Sequence, residues 1–294
     1  MTTFYRRLPR FDYLKTKSID EVLALLENNQ SKEVKLYAGG TDLVPRLKRR
    51  LISRPKLLVD LKGLSALDYI HYDKTEGLRI GALSTIYSVA NSPIVRERFS
   101  ILSQGANSIA AIQIQSRGTI VGNICSAVPS ADSAPPLLCL GANLVCVSGK
   151  GERVIGIEDF FTGPSETVLR GDELLKEIHI SNIPETSKGA YIKLSTRARM
   201  DLAIVGVGAL VALENGTFKD VRIGLGAVAP TPIRARKAED MLRGQKANDR
   251  VLSEAAHLAS EESKPIDDHR ASAKYRRMMV EVLVKRAIHQ ALNG

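Results

Sequence analysis

Hydrophobic and polar positions along the chain fall into two regimes, and the change between them comes near residue 178. In the first, short apolar runs alternate with short amphipathic helices. SIDEVLALLENN (18–29) places Ile19, Val22, Leu23 and Leu26 on one helical face. Ser18 and Glu21 stand three apart at its start, the pattern of a capping box. VKLYA (34–38) alternates like a strand, and KLLVDL (56–61) reads as another. Between them Leu43, Leu47 and Leu51 recur every four residues beside Val44, with Pro45 in the first turn, so a helix is expected. DYIHYDKTEGLRIGAL (68–83) predicts a hairpin turning at Glu76-Gly77. IYSVANS and ILSQGANSIAAI predict helices. Residues 115–138 hold too much Gly, Ser and Pro to be regular throughout. ANLVCVSGKGERVI then predicts a strand pair around a Gly-rich turn.

In the second regime, GAYIKLSTRARMD and LAIVGVGALVALENGTFKDVRIGLGAV predict three strands, the last two joined at Asn215-Gly216. RARKAEDMLRG, DRVLSEAAHLASEE and HRASAKYRRMMVEVLVKRAIHQAL predict helices. Strands followed by helices indicate a separate α+β unit, with the boundary near Asn182-Ile183-Pro184. No internal repeat is evident.

At 294 residues the chain is long enough for two compact units. The formal charge of +10 admits nucleic acid, anionic surfaces or acidic protein partners, but the basic residues are scattered. With 5% aromatic residues and no Trp, the chain is poorly equipped to stack bases, so nucleic-acid binding is not expected. Three cysteines without a CxxC pair, and scattered histidines without HExxH, argue against a disulfide framework or a metal centre held by this chain. The N-terminal residues lack the apolar core of a secretory signal. The longest apolar run, LAIVGVGALVAL (202–213), is too short for a membrane span. A cytoplasmic setting is the expectation.

Two glycine segments carry the candidate chemistry. In KLYAGGTDLVPRLKRR (35–50), Gly39 and Gly40 join a strand to a helix, where free N–H groups accept an anion and a bare backbone lets a phosphate approach. An ordinary tight turn uses the same residues. Asp42 would compete with a phosphate unless it caps the helix or turns away. RGTIVGN repeats the chemistry at Gly118, Thr119, Gly122 and Asn123, and two such loops facing each other suit a pyrophosphate. Asp132, nine residues further on, is placed to accept hydroxyl hydrogen bonds. No GxxxxGK[ST] is present, and the GxG of AIVGVGALVAL lacks the third glycine of a dinucleotide fingerprint. No Ser-His-Asp set or paired carboxylates stand out, so no catalytic residue is assigned.

Taken in order, PRFDYLKTKSIDEVLALL, YAGGTDLVPRLK, LLVDLKGL, IQSRGTIVGNICSAVPSADSAPPLLCLGANL and GAYIKLSTRARMDLAIVGVG resemble the FAD-binding medium subunit of molybdenum hydroxylases. These are the carbon monoxide dehydrogenase, xanthine dehydrogenase and aldehyde oxidoreductase relatives. The resemblance covers nearly the whole chain. It implies an α+β fold with a two-subdomain FAD-binding domain of the vanillyl-alcohol-oxidase-like (PCMH) kind over residues 1–178, its subdomains about 1–60 and 61–178. A C-terminal α+β domain of three antiparallel strands and helices follows over 179–294.

The resemblance further implies that Ala38, Gly39, Gly40, Thr41, Asp42 and Leu43, with Gly118, Thr119, Ile120, Gly122 and Asn123, grip the FAD pyrophosphate. Asp132 would bond the polyol or ribose. Ile109, Ala110 and Leu175 would lie near the flavin ring, and Lys193 would reach its polar edge. The implied role is electron transfer. A small subunit with [2Fe-2S] clusters would deliver electrons from a large subunit bearing the molybdenum cofactor, in a dimer of heterotrimers. A stand-alone FAD-dependent oxidoreductase of the same fold is the alternative. Two departures are visible. Val121 replaces a frequent glycine and would be strained if its φ were positive. Gln115 and Ser116 stand where Arg and Asn are frequent.

Overall fold

The computed structural model describes residues 7–28 and 33–293. Residues 1–6 and Asn29, which the sequence expectations include, lie outside the described residues, as does Gly294.

The first unit comprises β1 (Asp12–Lys15), α1 (Ile19–Asn28), β2 (Val34–Tyr37), α2 (Leu43–Arg49) and β3 (Leu57–Asp60). Its sheet has the order β1-β3-β2 and is parallel throughout. The expected capping signal is present at α1: Ser18 Oγ accepts the Glu21 N–H at 3.2 Å, and Glu21 reaches back to the Lys17 N–H at 2.8 Å. The second helix is shorter than its apolar spacing predicts. Arg50 turns left-handed (φ 61°) and its N–H bonds back to the carbonyls of the last turn. Leu51 is therefore thrown outward and is 59% exposed.

The second unit contains β4 (Ile70–Asp73), β5 (Gly77–Gly81), α3 (Ile86–Asn91), α4 (Pro93–Arg98), α5 (Ser100–Ser108), α6 (Ile112–Gln115), α7 (Ile120–Cys125), α8 (Ala134–Leu140), β6 (Asn143–Ser148), β7 (Gly151–Gly156), β8 (Phe161–Gly163), β9 (Glu166–Thr167) and β10 (Leu174–Ile180). Its main sheet is antiparallel in the order β4-β5-β10-β6-β7. The strand that comes last in the chain thus sits in the middle. Its register shifts between Leu175 and Glu177, a bulge of the kind that re-aims side chains beside sites. The expected helix through ILSQGANSIAAI stops at Ser108, because Ala110 is left-handed (φ 45°).

The third unit adds β11 (Ser187–Leu194), β12 (Val205–Glu214), β13 (Thr217–Gly226), β14 (Ile233–Arg234), α9 (Arg236–Leu242), α10 (Asp249–Glu262) and α11 (Ala273–Asn293). The three long antiparallel strands gain a two-residue fourth at the β13 edge. β12 is buried along nearly its whole length. Its core of Val207, Ala209, Val211, Val221 and Ile223 packs against Ala255, Val280 and Val284 of the helices. Tyr191 and Leu210, from the same sheet, instead join the core of the second unit. Among the described residues no helix is long and apolar enough to cross a membrane.

Candidate functional site

The chain leaves β2 through Ala38, Gly39 and Gly40 and enters α2 at Leu43. Gly40 needs its glycine because φ is +72° and a Cβ would strike the Tyr37 ring. At Gly39 the reason is a neighbour: a Cβ would lie 2.0 Å from the Arg117 main-chain oxygen. The two glycine segments are therefore packed on each other, and a Cβ on Gly118 would come within 3.0 Å of Thr41 Oγ1. Asp42 stands at the N-cap position of α2 but makes no side-chain cap bond.

The second segment is fixed from several sides. The Ile86 N–H donates to the Gly118 carbonyl at 2.8 Å. Thr119 caps α7, its Oγ1 accepting the Gly122 N–H at 3.0 Å. Val121 is the second residue of that helix, buried and in right-handed backbone, so the strain foreseen for it does not arise. Gln115 braces the preceding loop. Its amide donates to the carbonyls of Ile109 (2.7 Å) and Asn107 (3.1 Å), holding the backbone that turns at Ala110.

These segments form the wall of a cavity of about 820 Å³, within the range of sites for sizeable organic ligands. Ala38, Gly39, Gly40, Thr41, Asp42, Leu43, Ile109, Ala110, Gly118, Thr119, Gly122, Asn123, Asp132 and Leu175 all line it. Ile120 and Lys193 are not on its surface: the Ile120 side chain is buried in the core. Lys193 is engaged elsewhere. Its ammonium donates to Asp132 Oδ2 (2.7 Å), the Asp201 carbonyl (2.8 Å) and the Ser108 carbonyl (3.0 Å). An ammonium has three protons, so no donor remains for a ligand.

Asp132 is the charged centre of this wall. Burial pushes its carboxyl above the usual range, opposed by the Lys193 ammonium and by the Tyr191 hydroxyl, which donates to Oδ1 at 2.7 Å. Tyr191 itself is pushed well up, by burial first and then by Asp132. Glu173, also on the wall, would rise through burial, but Arg153 grips both its oxygens at 2.6 and 2.8 Å and holds it below the usual range. Asp201 is lowered to about 2 by the Thr196 hydroxyl and then by the Arg197 N–H. Burial pushes the Cys125 thiol up to about 12, which removes it as a thiolate nucleophile.

Sequence reasoning missed several members. Tyr191 lies two residues before Lys193 and so projects from the same face of β11, a signal available from strand periodicity. Met200 and Leu202, on the loop after β11, bring apolar surface to the wall. Met200 is left-handed (φ 56°) and its N–H contacts the Ala110 carbonyl at 3.3 Å, which no sequence signal announces. Arg197 and Arg270 add cations from the third unit. Among the described residues no group of three or more His, Cys, Asp or Glu could hold a metal.

The residues fit a dinucleotide that carries phosphates, hydroxyls and an apolar ring. Bare backbone lies at one part of the wall and a buried carboxylate with lone pairs to spare at another. At Gly122 a Cβ would meet only Thr119 Oγ1 and would otherwise enter open space. Comparison with known proteins gives the same class. The family described as the FAD binding domain in molybdopterin dehydrogenase matches residues 9–183, and the CO dehydrogenase flavoprotein C-terminal domain matches 190–291. The chain belongs to this family of FAD-binding medium subunits of molybdenum-containing dehydrogenases.

It is 32% identical to the glyceraldehyde dehydrogenase medium chain of Sulfolobus acidocaldarius, over 96% of this chain and 98% of that one. It is 33% identical to the putative xanthine dehydrogenase FAD-binding subunit of Escherichia coli, over 95% of each. In structure it matches a chain of the Hydrogenophaga pseudoflava carbon monoxide dehydrogenase that lacks the Mo-pyranopterin moiety. The TM-score is 0.94 at 33% identity, covering 98% of this chain and 99% of that one.

Proposed function

We propose that this chain is the FAD-carrying electron-transfer subunit of a heteromeric molybdenum hydroxylase. It accepts electrons from [2Fe-2S] clusters on a small partner subunit and passes them to an external acceptor. The large partner holds the molybdenum cofactor and oxidises substrate, and the assembly is a dimer of heterotrimers in the cytoplasm. The observation that carries this reading is the contact between the two glycine segments on the wall of one cavity, with Asp132 on the same wall. Residues 1–178 form the FAD-binding domain on this reading, with subdomains about 1–60 and 61–178, and residues 179–294 the C-terminal domain.

Bound FAD supplies a ring that takes up and releases electrons singly or in pairs. The protein's part is to hold it. Backbone N–H groups of the segment at 38–43, with those of Thr119 and Val121, bind the pyrophosphate, since Gly118, Ile120, Gly122 and Asn123 already donate within the chain. Asp132 accepts hydroxyl hydrogen bonds, and Ile109, Ala110 and Leu175 meet the ring and exclude water. Lys193 stabilises the site through Asp132 and the loop carbonyls rather than by direct contact. A stand-alone oxidoreductase would need a free acid or base beside the ring. Of the four wall carboxylates, Asp132, Glu173 and Asp201 are each engaged by cations, hydroxyls or amides, and Asp42 belongs to the segment assigned to the pyrophosphate rather than to the ring, which weighs against that alternative. The test is an absorption spectrum of the purified chain before and after adding FAD and desalting. Retained flavin bands are expected, and a chain that takes up no FAD alone or with its partner subunits overturns the reading.

A further inference from the structure

The cofactor wall depends on a residue that touches Asp132 rather than the cavity. Tyr191 is buried, and its hydroxyl donates to Asp132 Oδ1 at 2.7 Å while Lys193 donates to Oδ2 at 2.7 Å. Both donors come from one face of β11, in the third unit, whereas Asp132 sits just before α8 in the second. A carboxylate offers about four lone-pair sites, so two remain after these bonds. With one fixed donor on each oxygen, the plane of the carboxylate cannot rotate, and the remaining lone pairs keep one direction. Tyr191 is itself held, because its N–H donates to Gln104 Oε1 at 2.8 Å.

β12 has been shaped around this hydroxyl. In the pairing of β11 with β12, Tyr191 faces Gly208 and Lys193 faces Gly206. A Cβ on Gly206 would lie 2.6 Å from Tyr191 Oη, but 3.4 Å from the ring carbon that bears it. The tight contact is thus with the hydroxyl oxygen. The GxG of VGVG, which no dinucleotide motif explains, has a physical reason at its first glycine: it leaves room for the oxygen that fixes Asp132.

We infer that Tyr191 is a positioning residue for the cofactor. Seated by Gly206, it aims the Asp132 carboxylate at hydroxyl groups of the FAD polyol or ribose, so that Tyr191 orients the cofactor without touching it. The inference rests on the FAD reading above. The test is a double-mutant cycle on FAD affinity, read by flavin fluorescence quenching on the full chain. Each variant is first shown to be folded by circular dichroism.

Tyr191→Phe keeps the ring and removes the donor, and should weaken FAD binding at least about tenfold, the lower end of the effect of losing one hydrogen bond to a charged group. In an Asp132→Asn background the same change should cost less than about twofold, since the carboxylate it aims is gone. Gly206→Ala should weaken binding in the wild-type chain and much less beside Tyr191→Phe, whose ring edge leaves space for the methyl. If Tyr191→Phe does not fold, Gly206→Ala against Asp132→Asn carries the same cycle. A merely structural tyrosine would give equal losses with and without Asp132, and that additivity overturns the inference. Wild-type chain that binds FAD while Tyr191→Phe binds equally tightly overturns it alone. Wild-type chain that binds no FAD, alone or with its partner subunits, overturns the cofactor reading with it.

Discussion

At the scale of single residues, the glycine segments behave differently from what their composition suggests. Val121 is buried in the first turn of α7, not held in a left-handed turn. Restoring a glycine there should remove buried apolar surface and add backbone entropy, so Val121→Gly should lower stability by about 2–3 kcal/mol without tightening FAD binding. Urea unfolding and an FAD titration check both halves. Gly39→Ala should affect the site itself, with a smaller change of side chain. Its methyl would push against the Arg117 carbonyl and separate the two segments. A stability loss of about 1–3 kcal/mol is expected from overpacking, together with loss of retained flavin after desalting. Equal retention of FAD by Gly39→Ala and wild type would mean that contact between the segments is not what builds the site.

At the scale of elements, what could be read from the sequence follows burial. α1 was legible because its cap is local and its apolar face lies within ten contiguous residues. β1 was not, since all four of its residues are exposed and DYLK carries no alternating apolar face. β10 was obscured because its bulge breaks the two-residue period at the position that delivers Leu175 to the cavity. The candidate site was legible in its glycines and in Asp132, which sit in short contiguous motifs. Met200 and Arg270 were not, because tertiary packing alone brings them there, while Tyr191 had only its shared β11 face with Lys193 as a signal.

The loop before α11 shows how such a distant element is held. Arg276 on the helix donates to Asp268 at 2.8 Å and to the carbonyls of Ile204 and Ala227. Burial would raise the Asp268 carboxyl, but the N–H groups of Arg270 and Ala271, with Arg276, bring it down to about 2 from 3.8. A lowered carboxylate stabilises the fold above its unfolded value, and that contribution is lost as pH falls through about 2. Asp268→Asn should therefore destabilise the chain at pH 7 by at most about 2 kcal/mol, with the difference from wild type shrinking below pH 3.8 and gone near pH 2. Urea unfolding of both proteins across that pH range checks it. A difference that stays constant with pH would show that Asp268 acts by shape alone.

At the scale of the whole molecule, the question is whether the cofactor site is carried by one unit or by the chain as a single cooperative body. Tyr191 and Leu210 leave their own sheet's core to join that of the second unit. Glu158, in the second unit, pairs with Arg234 at 3.3 Å and Arg236 at 2.6 Å in the third, and the buried Asp132–Lys193 pair crosses the same boundary. Exposed pairs contribute little, but the shared apolar packing and the buried pair are costly to separate. The chain should therefore unfold in one transition, with calorimetric and van't Hoff enthalpies in agreement. A ligand held by walls from both sides should raise that whole transition. At a free FAD concentration about a hundredfold above its Kd, linkage gives about 2.7 kcal/mol, or a Tm increase of about 4 °C for a chain of this size. Calorimetry with and without FAD reads this directly. If two transitions appear and FAD moves only one, the third unit does not build the site, and Tyr191 and Lys193 lose their role in it.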